Sequence, residues 1–107
     1  MKEQILDKID FGNGKLVFDE ISSLEIVDNI AIYKNELKED MLQVEYPNEV
    51  LIDVGWYPSF DIEGGFQVRV IKDYNWEMPL LIREARDFKK LVLTIKEAIN
   101  IAVAHSN

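Results

Sequence analysis

Apolar and polar residues alternate strictly along the middle of the chain. The alternation runs through MLQVEY (41–46), EVLIDVGWY (49–57) and FQVRVIK (66–72). A period of two is typical of strands with one buried face, so these segments predict three antiparallel strands. The predicted buried face carries the apolar member of each alternation, namely Leu42, Val44, Tyr46, Val50, Ile52, Val54, Trp56, Phe66, Val68 and Val70.

The same alternation predicts how the first two strands pair. A two-residue loop, Pro47–Asn48, would set Tyr46 opposite Glu49 and mix the two faces of the sheet. A three-residue loop, 47–49, sets Tyr46 opposite Val50 and keeps the apolar side chains together. The three-residue loop is therefore the predicted connection.

The segment 87–104 has the apolar spacing of a helix. Asp87 can cap its N-terminus, and its apolar stripe comprises Phe88, Leu91, Val92, Ile95, Ile99, Ala102 and Val103. Shorter patterns predict strands over 79–86 and 15–18 and a short helix over 2–9, whereas 19–40 mixes helix and strand signals. The chain is thus predicted to be one α+β domain, 1–107. It would be an antiparallel sheet of about four to five strands with a long C-terminal helix packed on one face.

Charge is distributed unevenly over the chain, whose net charge is −8. Residues 1–65 hold 15 acids and 5 bases, and residues 66–107 hold 5 acids and 7 bases. The densest stretch, 36–63, has eight acids against Lys38 alone. Such a field repels nucleic acid and anionic membranes and attracts basic proteins. Solubility is the simpler explanation of an acidic total.

The chain has one basic cluster, formed by Arg83, Arg86, Lys89 and Lys90. These residues are expected to form solvated ion pairs with Glu84 and Asp87, each of little energetic value. The sequence predicts no nucleic-acid partner. The N-terminal residues match neither a signal peptide nor a membrane span, so a cytoplasmic location is expected.

Motifs for catalysis, metals and cofactors are weak. Absence of cysteine excludes a thiolate nucleophile, thiolate metal sites and disulfides. The sole histidine, His105, lies near the end of the chain, where an imidazole is poorly held for a catalytic relay. Asp53, Asp61 and Glu63 are oxygen ligands, but their spacing does not fit a calcium loop. No metal or cofactor is expected.

Recognition of a protein is the remaining function. Successive side chains of a strand point to opposite faces of the sheet, so Asp53 and Tyr57 are directed away from the helix. Both are expected to face solvent beside a loop carrying Asp61 and Glu63. Alternatively, Asp53 pairs with Arg69 across the sheet and Tyr57 merely covers the strand. A second candidate surface is KDYNWE (72–77), which holds Asp73, Tyr74, Trp76 and Glu77. Trp76 is either a binding hot spot or a plug of the core.

Four features of 41–100 resemble small bacterial immunity proteins of polymorphic toxin and contact-dependent growth inhibition systems. They are LIDVGWYP, GGFQVRVI, WEMPL and the closing helix. The resemblance implies a cytoplasmic, non-enzymatic, monomeric inhibitor that binds one cognate toxin domain. Many such toxins are nucleases with basic clefts, and an RNase is the expected one. The predicted partner-binding residues are Glu36, Glu39, Asp40, Asp53, Tyr57, Asp61, Glu63, Asp73, Tyr74 and Trp76.

Two other functions stay open at the level of sequence. The chain could be a structural or regulatory domain that self-associates through its sheet. It could also be an enzyme that pairs Asp53 with Asp61 or Glu63, as glycoside hydrolases pair carboxylates. The second is the least favoured, because a flat sheet in a small domain offers little enclosed space for a substrate.

Overall fold

A computed structural model describes residues 5–22 and 24–106. The strands of its sheet are β1 (Lys15–Asp19), β2 (Leu42–Tyr46), β3 (Val50–Tyr57), β4 (Gly65–Lys72) and β5 (Leu81–Ala85). They pair antiparallel in the order β1-β2-β3-β4-β5. The helix α1 (Phe88–His105) follows β5, and two 3₁₀ helices span Ile5–Lys8 and Ile30–Glu36. The predicted α+β fold is confirmed.

The β2–β3 hairpin has the predicted register. Tyr46 lies opposite Val50, and Leu42 lies opposite Val54. The three-residue connection holds Asn48 and Glu49 at φ angles of 64° and 60°. Asparagine tolerates this left-handed region better than most residues, which suits the tight return.

The core lies between one face of the sheet and α1. The alternate apolar residues of β2, β3 and β4 are buried there against the apolar stripe of the helix. Trp56 and Phe66 pack edge to face with ring centroids 4.8 Å apart, and Phe88 lies 5.8 Å from Phe66. Asp87 caps α1 as predicted, because its carboxylate accepts a hydrogen bond from the Lys90 amide at 2.7 Å.

The less patterned parts of the chain form turns and short helices. Of the helix predicted over 2–9, the structure describes Ile5–Lys8 as 3₁₀, and residues 2–4 lie outside the described residues. The unassigned segment 19–40 finishes β1 and then contains the second 3₁₀ helix. Tyr33 of that helix packs on Phe88, with ring centroids 5.8 Å apart, so this segment closes the core beside α1. No helix among the described residues is long and apolar enough to span a bilayer.

Candidate protein-binding face

Since α1 packs on one face of the sheet, the opposite face is the place to look for a partner. We call it the outer face. Its positions are Gln43, Glu45, Leu51, Asp53, Gly55, Tyr57, Gln67, Arg69, Ile71, Ile82 and Glu84. Side chains at such positions alternate with those of the core, so the strand pattern alone assigns most of them.

An acidic bulge, residues 38–41, covers Gly55 near the end of β3 on this face. Ahead of β2, the Lys38 carbonyl accepts a hydrogen bond from the Trp56 amide at 2.7 Å, and the Met41 amide donates to the Val54 carbonyl at 3.0 Å. Between these two bonds the backbone swings over Gly55. A Cβ at that position would lie 1.8 Å from the Glu39 carbonyl oxygen, so only glycine leaves room. The sequence therefore places the carboxylates of Glu39 and Asp40 at the surface beside the outer face.

Asp53 is buried, and the prediction that it faces solvent is wrong. It lies on the predicted side of the sheet, but only 4% of its surface is exposed. The Gln43 side-chain amide donates to its carboxylate at 3.1 Å. Burial is the main cause that raises the pKa of Asp53. The Gln43 hydrogen bond and the charge of Arg69 lower this pKa, and Asp40 raises it.

Arg69 lies directly opposite Asp53 in the register, as the cross-strand interpretation required. Its guanidinium donates to the Gln67 side chain at 2.5 Å and sits over the Tyr57 ring, 5.3 Å from the centroid. The positive charge of Arg69 thus lowers the pKa of Asp53 electrostatically, while its hydrogen bond goes to Gln67. Ion pairs join Lys38 to Glu20 and Arg83 to Glu97, each at 3.3 Å.

Tyr57 is partly exposed at the end of β3. Its hydroxyl donates to the Glu39 carbonyl at 3.3 Å, which ties the side chain to the bulge. Partial burial, followed by the neighbouring Asp53 carboxylate, raises the pKa of Tyr57. One surface of the ring is occupied by Arg69, so part of its predicted contact area is already used.

Apart from Asp53 and Tyr57, which lie on β3 itself, the predicted binding residues fall into two groups at opposite ends of β3, roughly 23 Å apart by strand rise. The first group borders the loop 58–64 and comprises Glu36, Glu39, Asp40, Asp61 and Glu63, all exposed. The Phe60 amide donates to the Leu37 carbonyl at 2.7 Å, which holds this loop against the segment before the bulge. We call this group the loop end.

The Asp61 carboxylate has a structural role within the loop end. The carboxylate accepts a hydrogen bond from the Glu63 backbone amide at 2.9 Å. The backbone carbonyl of Asp61 accepts a second hydrogen bond from the Trp56 indole at 2.8 Å. Asp61 therefore shapes the turn as well as adding charge. No group of three or more histidine, cysteine or acidic residues that could hold a metal ion occurs in the described parts of the chain.

The second group, Asp73, Tyr74 and Trp76, lies at the other end of the outer face, beside the 47–49 hairpin. Trp76 is 43% exposed, so its alternative role as a plug of the core is wrong. The Asp73 amide donates to the Glu49 carbonyl at 2.9 Å and fastens the 73–80 loop to the hairpin. The sequence interpretation included these three residues but missed what they face.

A groove with a volume of about 390 Å³ lies between the 73–80 loop, which carries Tyr74 and Trp76, and the 47–49 hairpin. Its lining residues are Gln43, Glu45, Tyr46, Glu49, Val50, Leu51, Ile71, Tyr74 and Trp76. Parity could have grouped Glu45 with Leu51 and Ile71, since all three belong to the outer face. No sequence signal indicated that the 73–80 loop would turn toward them.

The basic cluster lies around the β5–α1 junction, at the loop end of the sheet, because Ala85 pairs with Phe66 and the Arg86 side chain lies beside Gly65. Arg83 forms its ion pair with Glu97 of α1, so its predicted pairing with Glu84 or Asp87 is wrong. The register explains this, because Arg83 shares the helix-facing side of β5 with Leu81 and Ala85. Its charge is consequently directed away from the outer face.

Comparison with known proteins gave no match to a protein-family model, a curated protein or a solved structure. The resemblance to immunity proteins thus stays a prediction.

Proposed function

We propose that the protein is a non-catalytic immunity protein that binds a basic toxin domain through its outer face. The expected toxin is a nuclease, with an RNase favoured. One observation carries the proposal: exposed carboxylates border both ends of the outer face and meet few cations. They are Glu39, Asp40, Glu45, Glu49, Asp61, Glu63 and Asp73. Lys38, the sole base of residues 36–63, is engaged with Glu20.

Electrostatics favours a basic partner for such a face. Carboxylates held at the surface attract a positively charged cleft over about 8–10 Å at physiological ionic strength and accelerate encounter. Nuclease clefts are positively charged because their substrates carry phosphate, so an acidic face can occupy the site that phosphates would use. The cytoplasm is the compartment in which such a nuclease toxin would need to be neutralised.

Asp53 gives less support to the enzymatic alternative than its raised pKa suggests. Perturbed carboxylates do cluster at active sites. However, Asp53 is covered, accepts a hydrogen bond from Gln43, and lies in mid-strand, whereas Asp61 is engaged in the turn of the 58–64 loop. A pair of catalytic carboxyls must both reach the scissile bond.

Self-association is the second candidate, and the edge strand β1 is the observation that favours it. Val17 and Phe18 are 44% and 38% exposed on this strand, which has one partner strand, β2. Exposed apolar edge strands invite pairing with a second chain. Contact between two outer faces is disfavoured, because it would bring carboxylates of like charge together.

A growth assay tests the proposed function. The toxin domain would be taken from the large secreted protein expected to be encoded immediately upstream and expressed in a bacterial host with and without this chain. We expect co-expression to restore growth. Asp40→Lys should reduce protection, whereas Glu97→Lys, an equal charge change on α1, should protect like the wild type. If both variants protect as well as the wild type, or if both lose protection equally, a role for the outer face is contradicted.

A further inference from the structure

The groove at the hairpin end combines three features that favour binding of a long, positively charged side chain. Tyr74 and Trp76 give it aromatic walls and are 68% and 43% exposed. Leu51 and Ile71 belong to its apolar lining. Two exposed carboxylates, Glu45 and Glu49, line it as well. Aromatic faces attract cations, and apolar side chains accept the methylene stem of a long basic residue.

The carboxylates of the groove are not neutralised within the described part of the chain. Neither Glu45 nor Glu49 makes an ion pair there. Lys72, at the end of β4 beside the hairpin, donates to the carbonyl oxygens of Asn48 and His105 and not to a carboxylate of the groove. Lys15 lies across from Glu45 in the register, but it does not line the groove and makes no ion pair with Glu45.

The loop that forms the aromatic wall is held in an unusual conformation. Asp73 and Tyr74 have φ angles of 56° and 58°; aspartate tolerates this left-handed region, but a bulky residue such as tyrosine rarely adopts it. The hydrogen bond from the Asp73 amide to Glu49 fixes the loop against the hairpin, so both walls of the groove are fastened to each other. A preformed groove loses less entropy when a ligand binds.

We infer that this groove receives an arginine side chain of a protein partner. Guanidinium is favoured over ammonium because it stacks on aromatic rings, is more weakly hydrated and bonds carboxylates with two parallel donors. A volume of about 390 Å³ accommodates such a side chain with some of its backbone. This inference deepens the proposed function and rests on it for the partner being a basic protein.

The test uses the two tryptophans of the chain as reporters. The protein, labelled with ¹⁵N, is titrated with N-acetyl-arginine-N-methylamide while the indole N–H signals are followed by NMR. Trp76 lies in the groove, whereas Trp56 is buried and donates to the Asp61 carbonyl. We expect a saturable shift of the Trp76 signal, with a dissociation constant on the order of 1 mM, and an unchanged Trp56 signal. The citrulline analogue, which is uncharged, should bind at least about fivefold more weakly.

Matched variants locate the binding. Glu45→Gln with Glu49→Gln should weaken the arginine probe at least about fivefold, while Glu39→Gln with Asp40→Asn at the loop end should leave its affinity unchanged. The Trp56 signal reports whether each variant is folded. Equal binding of the citrulline probe to the wild type, no shift of Trp76, or equal loss in both variants would overturn the inference. Because the titration uses no toxin, its failure leaves the proposed function standing, and a failed growth assay leaves its result unaffected.

Discussion

Replacing Gly55 by alanine tests the bulge that positions the acidic side chains. The new Cβ would meet the Glu39 carbonyl oxygen at 1.8 Å, whereas ordinary contact begins at 3.4 Å, so the bulge must retreat by about 1.6 Å. That movement breaks the backbone hydrogen bonds made by Trp56 and Met41. Two such bonds contribute about 1–3 kcal/mol together. Alanine offsets about 0.4–1 kcal/mol by restricting the unfolded chain.

The expected net loss is about 1–2 kcal/mol in the free energy of unfolding, or a fall of about 5–10 °C in Tm. Circular dichroism during thermal and urea unfolding measures both. Gly65→Ala is the matched control in the neighbouring strand, because a Cβ there lies 3.6 Å from the Ala85 carbonyl oxygen. It should stay within about 0.5 kcal/mol of the wild type. If the two variants lose equal stability, the close approach of the bulge to Gly55 does not hold.

Three further predictions concern single side chains. Burial raises the pKa of Asp53, so the fold prefers its protonated form. Asp53→Asn should therefore unfold at a higher urea concentration than the wild type at pH 7. This difference in stability should shrink as pH falls toward the unfolded-state pKa of about 3.9. A stability difference that does not change with pH would contradict this prediction. Asp53→Lys should lower the free energy of unfolding by about 3–5 kcal/mol, because it buries an unpaired charge, and the same urea unfolding measures this loss. A variant as stable as the wild type would show that the side chain at this position is exposed to solvent. The Tyr46 hydroxyl donates to the Phe11 carbonyl at 2.7 Å, and burial, then Asp10, raise the pKa of Tyr46 to about 12. Wild-type stability should fall as pH rises from 10 to 12, because the unfolded chain releases this proton first, and Tyr46→Phe should abolish that part of the decline in urea titrations.

The fold could be predicted from sequence wherever one periodic pattern dominated. Alternation alone fixed which face of β2, β3 and β4 is buried, and the requirement that Tyr46 meet Val50 gave the hairpin register. The helix followed from an apolar stripe with Asp87 at its start. These elements are local, so each could be derived from about twenty consecutive residues.

The candidate site was harder to predict because its parts come from segments without periodicity. Parity placed Asp53 on the correct face but could not reveal its burial, since the neighbouring bulge belongs to a stretch with no regular pattern. The groove depends on the turn at Asp73 and Tyr74, whose positive φ angles are not signalled by glycine or asparagine. Tertiary contacts between distant segments determined both features.

The proposed function is tested most directly by the affinity of the chain for the proposed toxin domain, measured by isothermal titration calorimetry at two salt concentrations. We expect Asp40→Lys to weaken binding at least about tenfold and to reduce the dependence on salt, because the proposed toxin cleft is basic. Glu97→Lys should bind with wild-type affinity and wild-type salt dependence. Unchanged affinity and unchanged salt dependence in Asp40→Lys would contradict recognition through the acidic outer face.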